Sequence, residues 1–339
     1  MKKINARIYG NHLATDRGIE IHDNPRYVTF TYYGIPLWCF DYQSGSPGLM
    51  SIIGALEDCW SYGSSRKMPE PLNHTVSLER EMRRSGLLGF YTDFEINIAR
   101  SLYSHSVPLW PLRAKYSHGC YSGAFITNCT ELRALSIQEP LVKMTICAGC
   151  VSAKTRKRVD ALPKWFMEAV DGKQTLQKGL KLERLKSRPE DAYRQSTMIL
   201  MADIDHNKHT NYKTYIRKCY EALQTALTIK EAAQLNTEQN AQKIDSDRYS
   251  EKAKASEASG HKQVLPRWLT SDIMRQGVKT LRVKFIKESQ AGEEVSVHVW
   301  QEDGKPFWVF FTLERQTPPG SNQILFEMSL EFFELQPNL

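Results

Sequence analysis

No run of apolar residues in this chain of 339 approaches the ~18 that a membrane-spanning helix needs. The longest, such as residues 307–313 (FWVFFTL), stop far short, so no membrane span is expected. The opening residues MKKINARIYGNHLATDRG carry charge but no apolar block of the kind a secretory signal requires, and the expectation is a chain that stays inside a cell. Cysteine is sparse and odd in number, seven in all, which fits a reducing compartment rather than a disulfide framework. The sequons at Asn73 and Asn128 then read as chance matches. Cys147 and Cys150 form a lone C-x-x-C inside the apolar run LVKMTICAGCV. No second pair follows at zinc spacing, so buried strand cysteines are the expectation.

Aromatic residues are missing from the densest basic run, AKTRKR at residues 153–158, and that weakens a nucleic-acid reading. The plain alternative for the run is a solvated turn. Lysine and arginine number 45 against 38 acidic residues, a net charge of +7. That sign points to an acidic partner without choosing among nucleic acid, anionic lipid and acidic protein. Hydrophobic residues at 41% and charged residues at 24% are ordinary for a globular protein, and the length suits two domains or one large one.

What is present is an order of elements that occurs twice. In the first half a strand-like run, RYVTFTYYGI, is followed by a Ser-Pro start and a stretch in which Met50, Ile53, Ala55, Leu56, Trp60 and Gly63 recur at roughly helical spacing. Four strand-like segments follow: FYTDFEINIARSLYS, LWPLRAKYS, GAFITNCTELRA and LVKMTICAGCVSA. After a charged connector, residues 171–195, the second half repeats the order with STMILMADID as a strand and NYKTYIRKCYEALQTAL as a helix. On that helix Tyr212, Tyr215, Ile216, Cys219, Leu223, Ala226 and Leu227 share one face. Strands are then expected at KTLRVKFIKES, EVSVHVWQED, KPFWVFFTLERQ and NQILFEMSLEFFEL, with EDGK turning a hairpin.

A long helix wrapped by an antiparallel sheet, twice in one chain, is the pattern of an α+β tandem (double) hotdog. The boundaries expected are an N-terminal extension at residues 1–25, an N-terminal hotdog at 26–170, a linker at 171–195 and a C-terminal hotdog at 196–336. A polar insertion at 234–262, rich in Ala, Gln, Glu, Lys and Ser, is either a disordered segment or a solvated helix.

The stretch ADIDHNKHTNY, residues 202–212, concentrates the chemistry. Asp203, Asp205 and Asn207 match the first ligands of a calcium loop, but Lys208 stands where the glycine is needed and Thr214 where the bidentate glutamate is needed. Zinc through His206 and His209 lacks further ligands nearby. Capping of the following helix by Thr210 or Asn211 explains one or two residues and not five. If the stretch from Asp205 is extended, Asp205, Asn207 and His209 alternate onto one face beside a helix N-terminus. There a carboxylate, an amide and an imidazole could hold and deprotonate water, while the helix end supports an oxyanion.

These residues resemble the fatty acyl-ACP thioesterases of plant plastids and bacteria, whose second hotdog carries a motif close to D-x-D-x-N-x-H-x-N-N followed by Tyr-Ile. Here it stands as DIDHNKHTNYKTYI, with Tyr212 in place of the second asparagine. In VKFIKES, Glu288 falls at the family's glutamate and Ser289 at its cysteine. The first half agrees more loosely through Thr155, Arg156, Lys157 and Pro163 in the family's T-R-R-x-x-x-x-P turn. The family's R-Y-P-x-W-G-D segment is replaced by SLYSHSVPLW. The resemblance spans roughly residues 26–335.

The resemblance implies an acyl thioesterase that needs no metal and no other cofactor and acts on acyl carrier protein or coenzyme A thioesters. It implies a catalytic network of Asp205, Asn207, His209 and Glu288, with Glu288 favoured as the base and His209 competing for proton transfer. The first half has no matching Asp-Asn-His set, so one active site per chain is expected. Ile52, Ile53, Leu56 and Trp60 are expected to line an acyl pocket, or equally to be plain core. Arg156, Lys157 and Arg158 are expected to form a docking patch for an acidic carrier or for coenzyme A phosphates. No nucleic acid is expected as a partner, and a homodimer is the assembly to test for. The expected location is the cytoplasm, or a plastid or other organelle if a transit peptide has been removed. A hydroxyacyl dehydratase and a non-catalytic acyl-binding protein are the rival readings.

Overall fold

Strands in this protein are set by pairing and by burial on alternate residues, and helices by apolar residues three and four apart. The computed structural model describes residues 2–4, 19–23, 26–32, 35, 47–63, 81–103, 111–170, 178–205, 209–246, 268–317 and 321–335. The expected site residue Asn207, the Trp60 side chain and residues 247–262 lie outside what is described. The chain divides into two compact units, Met1–Glu183 with Arg275–Phe285, and Arg184–Met274 with Ile286–Leu339.

The first unit holds β1 (Lys2–Ile4), β2 (Ile19–Asp23), β3 (Arg26–Tyr32), α1 (Leu49–Gly63), β4 (Leu87–Ile98), β5 (Leu112–Ser122), β6 (Phe125–Ala134), β7 (Val142–Ser152) and α2 (Lys164–Val170). The second unit opens with β8 (Tyr193–Met198) and α3 (Tyr212–Ser246), followed by α4 (Ser271–Arg275). The next strand, β9 (Val278–Phe285), returns to the first unit, where it pairs antiparallel with β4. Then β10 (Glu294–Trp300), β11 (Trp308–Thr317) and β12 (Ser321–Phe332) complete the second unit.

In the first unit the strands run in the order β1-β2-β3-β5-β6-β7-β4-β9, each pair antiparallel, and α1 packs on β5 and β6. Ile52, Ile53, Leu56 and Cys59 of α1 are fully buried there. The start of β9 is fixed by the Tyr103 hydroxyl, which accepts from the Val278 N–H at 3.1 Å and donates to the Val278 carbonyl at 3.0 Å. Gly277 precedes it with φ +89°, and a Cβ there would stand 2.4 Å from the Tyr103 ring. Only glycine allows the phenol that close.

In the second unit the order is β12-β11-β10-β8, all antiparallel, and α3 lies across the sheet. Of the face picked out by periodicity, Tyr215, Ile216, Cys219, Leu223, Ala226 and Leu227 are buried and Tyr212 is only partly so, while Thr214, Lys218 and Ala222 are buried as well. The helix packs on β10, where Val295, Val297 and Val299 alternate in EVSVHVW and are buried. The helix continues into the polar insertion as far as Ser246.

One expectation shifts. The strand placed at residues 196–205 starts earlier and ends at Met198, because pairing with β10 defines it, and Leu200 and Met201 beyond it are solvent-exposed. The outer face of the second sheet, which holds the buried Ser296 and His298, is covered by residues 184–191. There Arg184 and the Leu185 N–H bind Glu327 at 2.7 and 3.1 Å, and Arg188 binds Glu314 at 2.9 Å. Cys147 and Cys150 are buried as expected, and burial pushes the Cys150 thiol up to about 12, which leaves it an inert thiol.

Candidate active site

Before α3 the residues on either side of 206–208 pair with each other. Ile204 and Thr210 form an antiparallel bridge, and inside it the Asp205 N–H donates to the His209 carbonyl at 2.7 Å. The His209 N–H returns a bond to Asp205 Oδ1 at 3.2 Å. Asp205 and His209 therefore meet through these two bonds, while Asn207, expected beside them, lies outside the described residues. Asp205 is bound to backbone, which suits an orienting role.

Asp203 anchors the loop below. It is buried, accepts the Leu200 N–H at 2.9 Å, and holds Arg217 at 2.7 Å and Lys218 at 3.6 Å, both on the first turns of α3. Lys218 is itself buried and also donates to the Met198 carbonyl at 2.8 Å. A lysine among the apolar residues of an amphipathic face needs a carboxylate, and that signal could have singled out Asp203 from sequence. Asn211 caps the helix, its Oδ1 accepting the Lys213 N–H at 3.0 Å and its carbonyl the Thr214 N–H at 2.9 Å. These two amides are spoken for, so the helix end supplies less to an oxyanion than the sequence suggests.

The remaining member comes from the segment after β9. Residues 286 and 287 both donate their N–H groups to the Leu325 carbonyl of β12, a local crowding that carries the chain past the sheet. Glu288 follows, and its Oε2 lies 2.7 Å from His209 Nδ1. The approach is short but not in line with the ring N–H, so attraction between the groups rather than a directed hydrogen bond describes it. The His209 side chain is 10% exposed and that of Glu288 59%, an imidazole in the wall with a carboxylate at the water's edge.

Of the expected catalytic residues, Asp205, His209 and Glu288 thus converge within the second unit. Beneath them lie Thr210, Tyr215 and Ser289, buried hydroxyls that the sequence reading took as a cap, a packing residue and a stand-in for cysteine. Ile52, Ile53 and Leu56 are core residues of the first unit. Lys154, Thr155, Arg156, Lys157 and Arg158 are exposed on the turn after β7, with Arg156 over the Phe90 ring and Arg158 over the Phe125 ring. Among the described residues no cluster of three or more His, Cys, Asp or Glu could hold a metal, and no helix is long and apolar enough to cross a membrane.

No family model matches the chain, and no curated protein does. Solved structures do. A Lactobacillus plantarum protein described as an oleoyl thioesterase aligns with a TM-score of 0.58 at 13% identity, covering 93% of this chain and 98% of its own. An acyl-ACP thioesterase from Bacteroides thetaiotaomicron aligns at 0.56 and 10% identity, covering 91% of this chain and 98% of its own. The 12:0-ACP thioesterase from Umbellularia californica aligns at 0.56 and 13% identity, covering 91% of this chain and 97% of its own. The chain has a double hotdog fold. At such identity the likeness carries the fold, and the chemistry must come from the residues.

Proposed function

We propose that this chain is an acyl thioesterase and that His209 and Glu288 form its reacting pair. The observation that carries the reading is the 2.7 Å approach of a solvent-reachable Glu288 to a histidine held at the neck of the loop before α3. It coincides with a fold shared, over nearly whole chains, with three thioesterases.

In the reaction, a water oxygen adds to the thioester carbonyl carbon while one of its protons passes to Glu288. The carbon–sulfur bond then breaks, and the departing sulfur takes a proton from the Glu288–His209 pair. The products are a fatty acid and a thiol, with the pair restored. His209 keeps one oxygen of Glu288 engaged, Asp205 keeps His209 in place, and Asn207 is assigned the task of orienting the water or the carbonyl. The resemblance assigns the acyl chain to Ile52, Ile53, Leu56 and Trp60. It assigns the acyl carrier protein, with coenzyme A as the alternative donor, to Arg156, Lys157 and Arg158, whose exposed positive charge suits an acidic carrier. Fatty acid synthesis in the cytoplasm or an organelle, by a monomer or homodimer, completes this reading.

Thiol release from a panel of acyl-carrier-protein and acyl-coenzyme A substrates of graded length tests it. Release that falls with Glu288→Ala and His209→Ala supports the hydrolase. A folded protein that releases none overturns it, and a product with a new double bond would assign a dehydratase instead.

A further inference from the structure

Each member of the reacting pair is followed in sequence by a hydroxyl residue, His209 by Thr210 and Glu288 by Ser289. The two hydroxyls are bonded to each other: Thr210 Oγ1 lies 2.8 Å from Ser289 Oγ and 2.8 Å from the Ser289 carbonyl. Tyr215, one turn into α3, adds its phenol at 2.8 Å from Ser289 Oγ and accepts the Ser289 N–H at 2.9 Å. Thr210, Ser289 and Tyr215 are all buried, Ser289 to 1% exposure.

The donors and acceptors fit one closed order. The Ser289 N–H donates to the Tyr215 oxygen, the Tyr215 hydroxyl to Ser289 Oγ, the Ser289 hydroxyl to Thr210 Oγ1, and the Thr210 hydroxyl to the Ser289 carbonyl. Each proton has one destination, and Ser289 is gripped at its amide, side chain and carbonyl. Burial raises the Tyr215 phenol above its ordinary value, so it remains a donor, and its ring stacks on Phe326 at 5.3 Å. The ring cannot drift without giving up that contact.

We propose that Thr210, Ser289 and Tyr215 form a positioning clamp that ties the backbone after His209 to the backbone after Glu288 and so sets the separation of the pair. The proposal rests on the thioesterase reading for its kinetic consequence, and on geometry alone for its structural one. The residues touch neither substrate nor reacting atoms; they act through the two that do. Packing alone would be satisfied by Val at residue 210 and Phe at residue 215, which keep the volume. The clamp requires the hydroxyls.

The test compares Thr210→Val, Thr210→Ser and Tyr215→Phe with the wild type, measuring thiol release per folded molecule and the crystal structure of each. Displacing a reacting group by an ångström costs about 100-fold, so Thr210→Val and Tyr215→Phe are expected to lose about 10- to 100-fold in kcat with KM little changed. Thr210→Ser restores most of the rate. If Thr210→Val does not fold, Tyr215→Phe carries the same comparison. Folded variants that turn over like an active wild type would overturn the clamp and leave the thioesterase standing. A wild type that releases no thiol would sink the thioesterase reading, and the crystal structures would then decide the clamp. A His209–Glu288 distance that widens in Thr210→Val supports it, and one unchanged from 2.7 Å rejects it.

Discussion

Among the described residues the second unit contains two histidine–glutamate pairs, and they are built for opposite ends. His209 and Glu288 approach to 2.7 Å with the carboxylate 59% exposed, and the loop that carries the histidine is held through backbone and hydroxyl groups. His298 and Glu314 stand 3.6 Å apart, both buried on the covered face of the sheet. There Glu314 is saturated, with Arg188 on both oxygens at 2.9 and 3.4 Å and the Thr312 hydroxyl at 2.9 Å. Burial alone would push the Glu314 carboxyl up, but Arg188, His298 and Thr312 outweigh it and hold it below the ordinary range. Burial pulls the His298 imidazole down to about 4, with Arg188 and Arg194 helping against Glu314, so it is neutral at pH 7. A histidine beside a carboxylate is therefore not a site by composition. Access to water distinguishes the reacting pair from the structural one, with Glu288 59% exposed and Glu314 buried.

Substitutions at the two glutamates sharpen that contrast most. Glu288→Gln is expected to lower thiol release by about 100- to 10,000-fold, the worth of general acid–base catalysis, with no change in Tm. Glu314→Gln does the reverse. It leaves the half-buried Arg188 without its carboxylate and is expected to cost about 1–3 kcal/mol in chemical unfolding, while activity per folded molecule is kept. Equal loss of activity from both would erase the distinction.

Acid supplies the next comparison. Between pH 6.5 and about 4 the unfolded His298 binds a proton that the folded one refuses, so stability falls as the pH falls through that window. The depressed Glu314 carboxyl adds a further loss as the pH falls below 4.5. Thermal unfolding followed across the window should show the decline, flattened in its upper part by His298→Gln. A wild-type Tm that holds constant would contradict the burial argument. The smallest effect is expected on the surface: Arg156→Ala with Arg158→Ala should raise KM for an acyl-carrier-protein substrate about 2- to 5-fold, the worth of exposed charge contacts, and leave kcat alone. An unchanged KM would remove the docking role.

How far the sequence speaks follows from which forces are local. The buried face of α3 was legible because Tyr215, Ile216, Cys219 and Leu223 obey the helical period. The strand β8 was misplaced because Met198, Leu200 and Met201 look like an apolar strand yet stand in solvent. The burial of His298 has no signal in strand alternation, because it depends on a linker, residues 184–191, that binds Glu327 and Glu314 across the outer face. Asp205 and His209 were found by their density of polar groups, Glu288 through resemblance alone. The bond between Thr210 and Ser289 joins residues 79 apart, and no period reaches that far.

The most direct measurement is a double-mutant cycle on thiol release with His209→Ala, Glu288→Gln and the two combined. Groups that act as one unit give non-additive losses. The account predicts that each single substitution removes most of the rate and that the combined protein is no slower than the worse of the two. Losses that multiply, or a folded Glu288→Gln protein that releases thiol at the wild-type rate, would contradict a reacting pair formed by His209 and Glu288.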